Sequence, residues 1–291
     1  GRLEILITGL KISILLVVIA FGLRIVLGSG DNMSAFTPFF PQGLGGLLSA
    51  MGITFVAFEG YEIIVQSAEE VKKPGTAIPR AILLCIVLAV SIYLLMAVVM
   101  LGAVEAPEGQ TVYGYLGHLK EVGLLKAAGQ FVPHGEILLL IAGLVSTASA
   151  LNATIYGSSR IVFAMGREGD LPSALGWVHR TRRTPYIAIA MAGTLMIIMT
   201  VALPLKDIAA STNIMFLLVF VMVCATVIRL RNCWPDRERP FRVPLSPWLP
   251  TVGIMAGLVL SVWLLHVSLV AWLVAISWLA LGMIMFLYNQ R

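Results

Sequence analysis

Apolar residues in this chain come in long unbroken stretches, and polar residues gather in the gaps between them. A helix of about 20 mostly apolar residues spans the hydrocarbon core of a bilayer. Eight stretches reach that length: 5–27, 44–66, 79–104, 134–163, 185–205, 208–229, 249–267 and 269–288. Each is continuous rather than alternating, which predicts spanning helices and not barrel strands. The last two are joined by almost no loop. Loop 105–133 is long for a connection between spans, and its stretch 112–128, with Leu116, Leu119, Leu124 and Leu125, is expected to form a short external helix. Loop 229–248 carries Pro235, Pro240, Pro244 and Pro247, which keep the backbone extended until about Trp248.

Composition narrows the class. Of 291 residues, 59% are hydrophobic and only 12% are charged. Soluble domains carry about 25% charged residues, so this chain is too poor in charge to form a hydrated surface. Disorder, a disulfide scaffold and a soluble enzyme are excluded, leaving an all-α polytopic membrane protein with about eight transmembrane helices. The chain starts at Gly1 and enters an apolar stretch at once, so a fragment of a longer protein is expected.

The net charge of +5 does not point to nucleic acid, because the basic residues sit in short loops between spans. Lys72, Lys73 and Arg80 follow the second span; Arg167, Arg180, Arg182 and Arg183 follow the fourth; Arg229, Arg231, Arg237, Arg239 and Arg242 follow the sixth. The intervening loops are poor in Lys and Arg, with only Lys120, Lys126 and Lys206. The asymmetry places the basic loops, the N-terminal end and Arg291 on the cytoplasmic side of the cell membrane. Cys85, Cys224 and Cys233 are too scattered for disulfides or a metal site, and His118, His134, His179 and His266 lack metal-ligand spacing. No metal and no cofactor are expected.

Ionisable groups at membrane depth are the candidates for chemistry. Arg24, Glu136 and Arg160 lie near span ends, where long side chains reach the interface. Glu59 and Glu62 lie near the middle of the second span and, on a regular helix, would share one face. Two carboxylates a turn apart in a low dielectric do not both ionise easily. Gly60 between them weakens the helix, so an interruption is expected within Ala57–Glu62. Freed backbone N–H and C=O groups survive in a bilayer only where they line a cavity, which makes this a candidate solute site. The alternative is an ordinary helix whose glutamates bond its neighbours. The fourth span carries a polar stretch, Ser146 to Thr154, that serves either close helix packing or an ion or ligand site using Ser146, Ser149 or Asn152. Lys11, about two turns inside the first span, either reaches the cytoplasmic interface or has a partner within the protein.

Three segments carry a family resemblance. Phe58 to Ile82 reads FEGYEIIVQSAEEVKKPGTAIPRAI, Ser149 to Pro172 reads SALNATIYGSSRIVFAMGREGDLP, and Arg239 to Pro250 reads RPFRVPLSPWLP. In order and spacing these resemble the sixth helix and following loop, the eighth helix, and the lead into the eleventh helix of the amino acid–polyamine–organocation (APC) transporter superfamily. The resemblance implies a LeuT-like inverted-repeat transporter fold. The chain is then one partial transporter domain over 1–291, supplying family helices five to twelve and lacking the first four, among them the glycine-rich broken first helix.

By that resemblance Ala57, Phe58, Glu59, Gly60 and Tyr61 fall on the unwound substrate-binding segment, with Phe58 a candidate aromatic lid. Glu62 falls where some relatives carry a proton-sensitive glutamate. Glu59 departs from a position that is often uncharged, which favours a cationic or polyamine solute. Lys11 resembles a lysine whose ammonium replaces a sodium ion, and its cation would then sit near Ser146 or Ser149. The implied function is a permease that moves amino acids or polyamines by alternating access, proton-coupled or exchanging. Its implied partners are a small-molecule substrate and the lipid bilayer, with no nucleic acid. Two other classes stay open: a half-transporter or structural subunit that completes its site with a partner chain, and an intramembrane enzyme. The enzyme reading lacks a His or Ser beside Glu59 and Glu62.

Overall fold

The computed structural model describes residues 2–28, 36–66, 68 and 71–289. Among these it forms eleven α-helices: α1 (Arg2–Gly28), α2 (Gly43–Thr54), α3 (Glu62–Gln66), α4 (Pro74–Gly102), α5 (Val112–Leu119), α6 (Gly123–Phe131), α7 (Gly135–Glu168), α8 (Tyr186–Ala202), α9 (Leu205–Cys233), α10 (Trp248–Trp263) and α11 (Leu269–Asn289). No strand occurs among the described residues. Ser67, Glu69 and Glu70 of the first quoted segment, and Arg291, lie outside them.

Every expected span recurs as an apolar helix. Seven spans are long and apolar enough to cross a bilayer, with α2 and α3 together forming one of them, Gly43–Val65. The eighth, α8, has 17 residues, or about 26 Å of rise. The chain is therefore a multi-pass, all-helical membrane protein. The expected short helix at 112–128 is present as α5 and α6, joined by a 3₁₀ turn at Lys120–Val122. The proline-rich loop stays non-helical until α10 begins at Trp248.

Helix α4 starts earlier than its apolar stretch. Pro74 takes the first helical position, where a missing N–H has no partner to lose. Pro79 then lies inside the helix rather than at its start. The loop before α10 is tied down by its own arginines. Arg239 donates to the carbonyls of Leu230 at 3.2 Å and Trp234 at 2.6 Å, which caps the end of α9. Arg231 donates to Val243 O at 3.0 Å. Arginines whose charge alone stood out in the sequence thus also fold the loop that carries them.

The chain divides into two compact units. The first comprises residues 1–41 and 84–153. Its core joins Val18 and Ile19 of α1, Met96 of α4, Ala128 of α6 and Leu139 of α7. The second comprises 42–83 and 154–291. Its core joins Ala210, Ile214 and Leu217 of α9 to Leu260 of α10, Leu264, and Ala271 and Ala275 of α11, with Leu48 and Phe55 packed against them. Lipid is as apolar as leucine, so close fit and polar links decide helix association inside a membrane. Polar links of this kind serve the second unit. Trp263 Nε1 donates to Ser49 Oγ at 3.1 Å, joining α10 to α2. Ser268 donates to Asp207 Oδ1 at 2.6 Å and accepts from Ala271 N–H at 3.0 Å, joining the starts of α9 and α11.

Candidate functional site

The span Gly43–Val65 is interrupted in its second half. After α2 the chain tightens into a 3₁₀ turn, Phe55–Phe58, and Glu59 then swings to extended backbone at φ −72° and ψ 157°. Gly60 follows at φ +114°, a region that L side chains rarely adopt. The helix restarts at Glu62. Regular i to i−4 bonding gives way here to shorter-range bonds. Glu59 N–H donates to Val56 O at 3.1 Å, Ile63 N–H to Gly60 O at 3.2 Å, and Ile64 N–H to Tyr61 O at 3.1 Å. The expected interruption within Ala57–Glu62 is therefore present.

The two carboxylates behave differently. Glu62 turns back, and its Oε2 accepts from Gly60 N–H at 2.7 Å, so one charge-bearing side chain satisfies the amide at the break. Glu59 Oε1 is buried without a hydrogen-bond partner among the described residues. An orphaned acceptor in a medium without water is costly unless a donor arrives. Ala57, Phe58 and Gly60 are exposed on the same segment, while Tyr61 and Glu62 are half-buried.

Helix α9 contacts the segment on both sides of the break. Asn213 is fully buried, and its Nδ2 donates to Gly52 O at 2.7 Å and Ile53 O at 2.9 Å. The last carbonyls of a helix lack intrahelical donors, and Asn213 supplies two of them from a neighbouring helix. Its Oδ1 has no hydrogen-bond partner among the described residues. Gly52 also packs closely on the turn after α10, where a Cβ added at Gly52 would lie 3.0 Å from Leu264 Cδ2. Seven residues along α9, which is two turns and hence the same face, Phe220 receives the rings that flank the break. Phe55 meets it edge-on at 5.8 Å, and Tyr61 stacks on it at 5.8 Å and 20°. Phe216 lies 6.0 Å from Phe220.

Asn213, Phe216 and Phe220 have no counterpart in the reading of the sequence alone. The available signal was a lone amide in the apolar run of α9, where a polar side chain needs a partner. The structure brings Ala57, Phe58, Glu59, Gly60, Tyr61 and Glu62 together on one broken segment of the second unit. Lys11 of α1 and Ser146 and Ser149 of α7 are half-buried residues of the first unit. Of the residues expected at interfaces, Glu136 pairs with Lys126 at 3.0 Å, with both side chains about half exposed. Arg160 lies 4.2 Å over the Tyr156 ring. No cluster of His, Cys, Asp and Glu suited to a metal occurs among the described residues.

Known proteins resemble this sequence. The family model described as amino acid permease matches residues 1–289. The branched-chain amino acid permease BcaP of Bacillus subtilis is 32% identical over 224 residues, covering 77% of this chain and 46% of that protein. The gamma-aminobutyric acid permease of Escherichia coli is 29% identical over 221 residues, covering 72% and 46%. The vacuolar cationic amino acid transporter 2 of Arabidopsis thaliana is 26% identical over 258 residues, covering 88% and 39%. The chain thus spans about half the length of these curated relatives, or less. With a family match over nearly its whole length and a broken apolar helix carrying its polar groups, this multi-pass membrane chain belongs to the amino acid permease family.

Proposed function

We propose that the intact gene product is a secondary transporter that moves amino acids or polyamines across the cell membrane by alternating access. The chain then contributes family helices five to twelve of one transporter domain, with both of its ends on the cytoplasmic side. The observation that carries this reading is the interruption of the span Gly43–Val65 at Phe55–Tyr61, where Gly60 stands at φ +114° beside the unpartnered Glu59 Oε1. A broken spanning helix offers backbone donors and acceptors to a polar solute where lipid offers none.

In this reading Ala57, Phe58, Glu59, Gly60 and Tyr61 hold the substrate. Phe58 is 36% exposed, enough for its ring to lie over a bound solute. Glu59 faces an amino or other cationic group. Glu62 couples transport to protons, and its bond to Gly60 N–H connects it to the shape of the break. Lys11, with Ser146 and Ser149, takes the place of a coupling cation, so uptake runs on protons or by exchange and needs no sodium. No bond in the solute is made or broken.

The relatives' names support an amino acid as solute: one is a branched-chain amino acid permease, one a gamma-aminobutyric acid permease and one a cationic amino acid transporter. Purified protein in liposomes, tested with a panel of radiolabelled amino acids and polyamines, is expected to take up at least one, and a Glu59→Gln variant is expected to lose uptake of cationic solutes first. Absence of uptake and exchange across the panel, from protein that is folded and correctly inserted, refutes the proposal.

A further inference from the structure

Helix α9 makes the same kind of contact twice, once before the break and once after it. Before it, Asn213 Nδ2 holds the carbonyls of Gly52 and Ile53, and Phe55 meets Phe220 edge-on. After it, Tyr61 stacks on the same Phe220. The segment between these points has a 3₁₀ turn, an extended residue and a glycine at positive φ. None of those conformations is held by regular helix bonding, so the two halves need an external restraint to keep one relative geometry.

We propose that Asn213 and Phe220 are positioning residues, and that α9 acts as a splint fixing the two halves of the broken helix in the geometry that receives the solute. The proposal rests on the reading of the break as the substrate site. Neither residue needs to touch the solute. Asn213 suits its place for a specific reason. Gly52 and Ile53 lie in the last turn of α2, where the α-helix passes into the 3₁₀ turn, and the amide's two N–H groups match two adjacent acceptors. Leucine fills a similar volume but donates nothing, and aspartate in its ionised form sets oxygen against oxygen. Phe220 works through ring contact with both Phe55 and Tyr61, so tyrosine at that position keeps the restraint and leucine does not.

The test compares Asn213→Leu, Asn213→Asp, Phe220→Leu and Phe220→Tyr in the intact protein, with two readouts. The first is uptake kinetics. The second is hydrogen–deuterium exchange of the peptide covering 52–62 against peptides from α10 and α11. Loss of the two hydrogen bonds to Gly52 and Ile53 is expected to raise KM about tenfold or more in both Asn213 variants. Phe220→Leu is expected to raise it about threefold to tenfold, while Phe220→Tyr stays near wild type. Exchange at 52–62 is expected to quicken in the first three variants, with α10 and α11 unchanged. A purely structural role instead speeds exchange throughout the second unit and lowers the amount of folded protein with KM preserved.

Wild-type KM together with wild-type exchange at 52–62 in Asn213→Leu or Asn213→Asp overturns the splint. If both Asn213 variants fail to fold, Phe220→Leu decides, and unchanged kinetics and exchange there overturn it equally. The exchange readout also separates the two proposals. Wild-type protein that transports nothing in the panel removes the substrate-site reading, whereas unchanged exchange in the variants removes the splint alone.

Discussion

Gly60→Ala isolates the backbone contribution of the break from every side-chain contact. An added Cβ at Gly60 meets no atom within 4 Å, so steric clash with neighbours contributes nothing to the effect. What remains is the conformation itself. At φ +114° an alanine backbone is strained, by about 1–3 kcal/mol for sparsely populated regions of this kind. Relief of that strain requires the segment to leave the observed geometry. About 1.4 kcal/mol corresponds to a tenfold change in population, so the observed geometry falls by roughly 5- to 150-fold. Apparent affinity falls by the same factor when only one geometry receives the solute. The assay is the KM of uptake in liposomes, with melting temperature measured in parallel. Gly143→Ala in α7 is the control, since a Cβ there also meets nothing within 4 Å and Gly143 lies within a regular helix. KM is expected to rise for Gly60→Ala and to stay put for Gly143→Ala. A folded Gly60→Ala protein with wild-type KM refutes the link between the break and binding.

Three further outcomes are expected. Glu62→Gln keeps an acceptor oxygen for Gly60 N–H but removes the charge, so uptake is expected to lose its pH dependence while the break persists; an unchanged pH profile contradicts the coupling role. Wild-type uptake is expected to proceed in sodium-free buffer, and Lys11→Met is expected to abolish it; uptake that requires sodium removes Lys11 from the mechanism. Lys126→Met breaks an exposed ion pair and is expected to cost less than about 1 kcal/mol, read as a small melting shift that vanishes in high salt; a large, salt-independent loss contradicts the solvent-screened description.

Much of this fold is written in hydropathy alone, because a bilayer forces each apolar stretch of sufficient length into a helix. The broken span was legible for a related reason. Gly60 between two carboxylates conflicts with a buried regular helix, and the conflict is resolved by giving the helix up between Phe55 and Tyr61. What holds that break was not legible. Asn213 is one of two amides in a helix of 29 residues, and nothing in its neighbours' spacing announces carbonyls about 160 positions away. The start of α4 at Pro74 was hidden because Pro79, five residues later, reads as a helix boundary while the chain tolerates it inside the helix. The capping arginine at 239 was legible as a charge on a loop but not as a donor to Leu230 and Trp234, since that depends on the folded path of the loop.

The substrate-site claim is tested most directly by solute protection of a thiol placed in the break. Ala57 is exposed on the segment and accepts a cysteine once the free Cys85, Cys224 and Cys233 are replaced. Labelling of Ala57→Cys by a small polar thiol reagent is followed in the presence of increasing concentrations of a transported amino acid. Protection is expected to saturate, with half-protection near the uptake KM and no protection by an amino acid that is not transported. Labelling that stays at its solute-free rate under saturating substrate contradicts the assignment of the broken helix as the place where the solute binds.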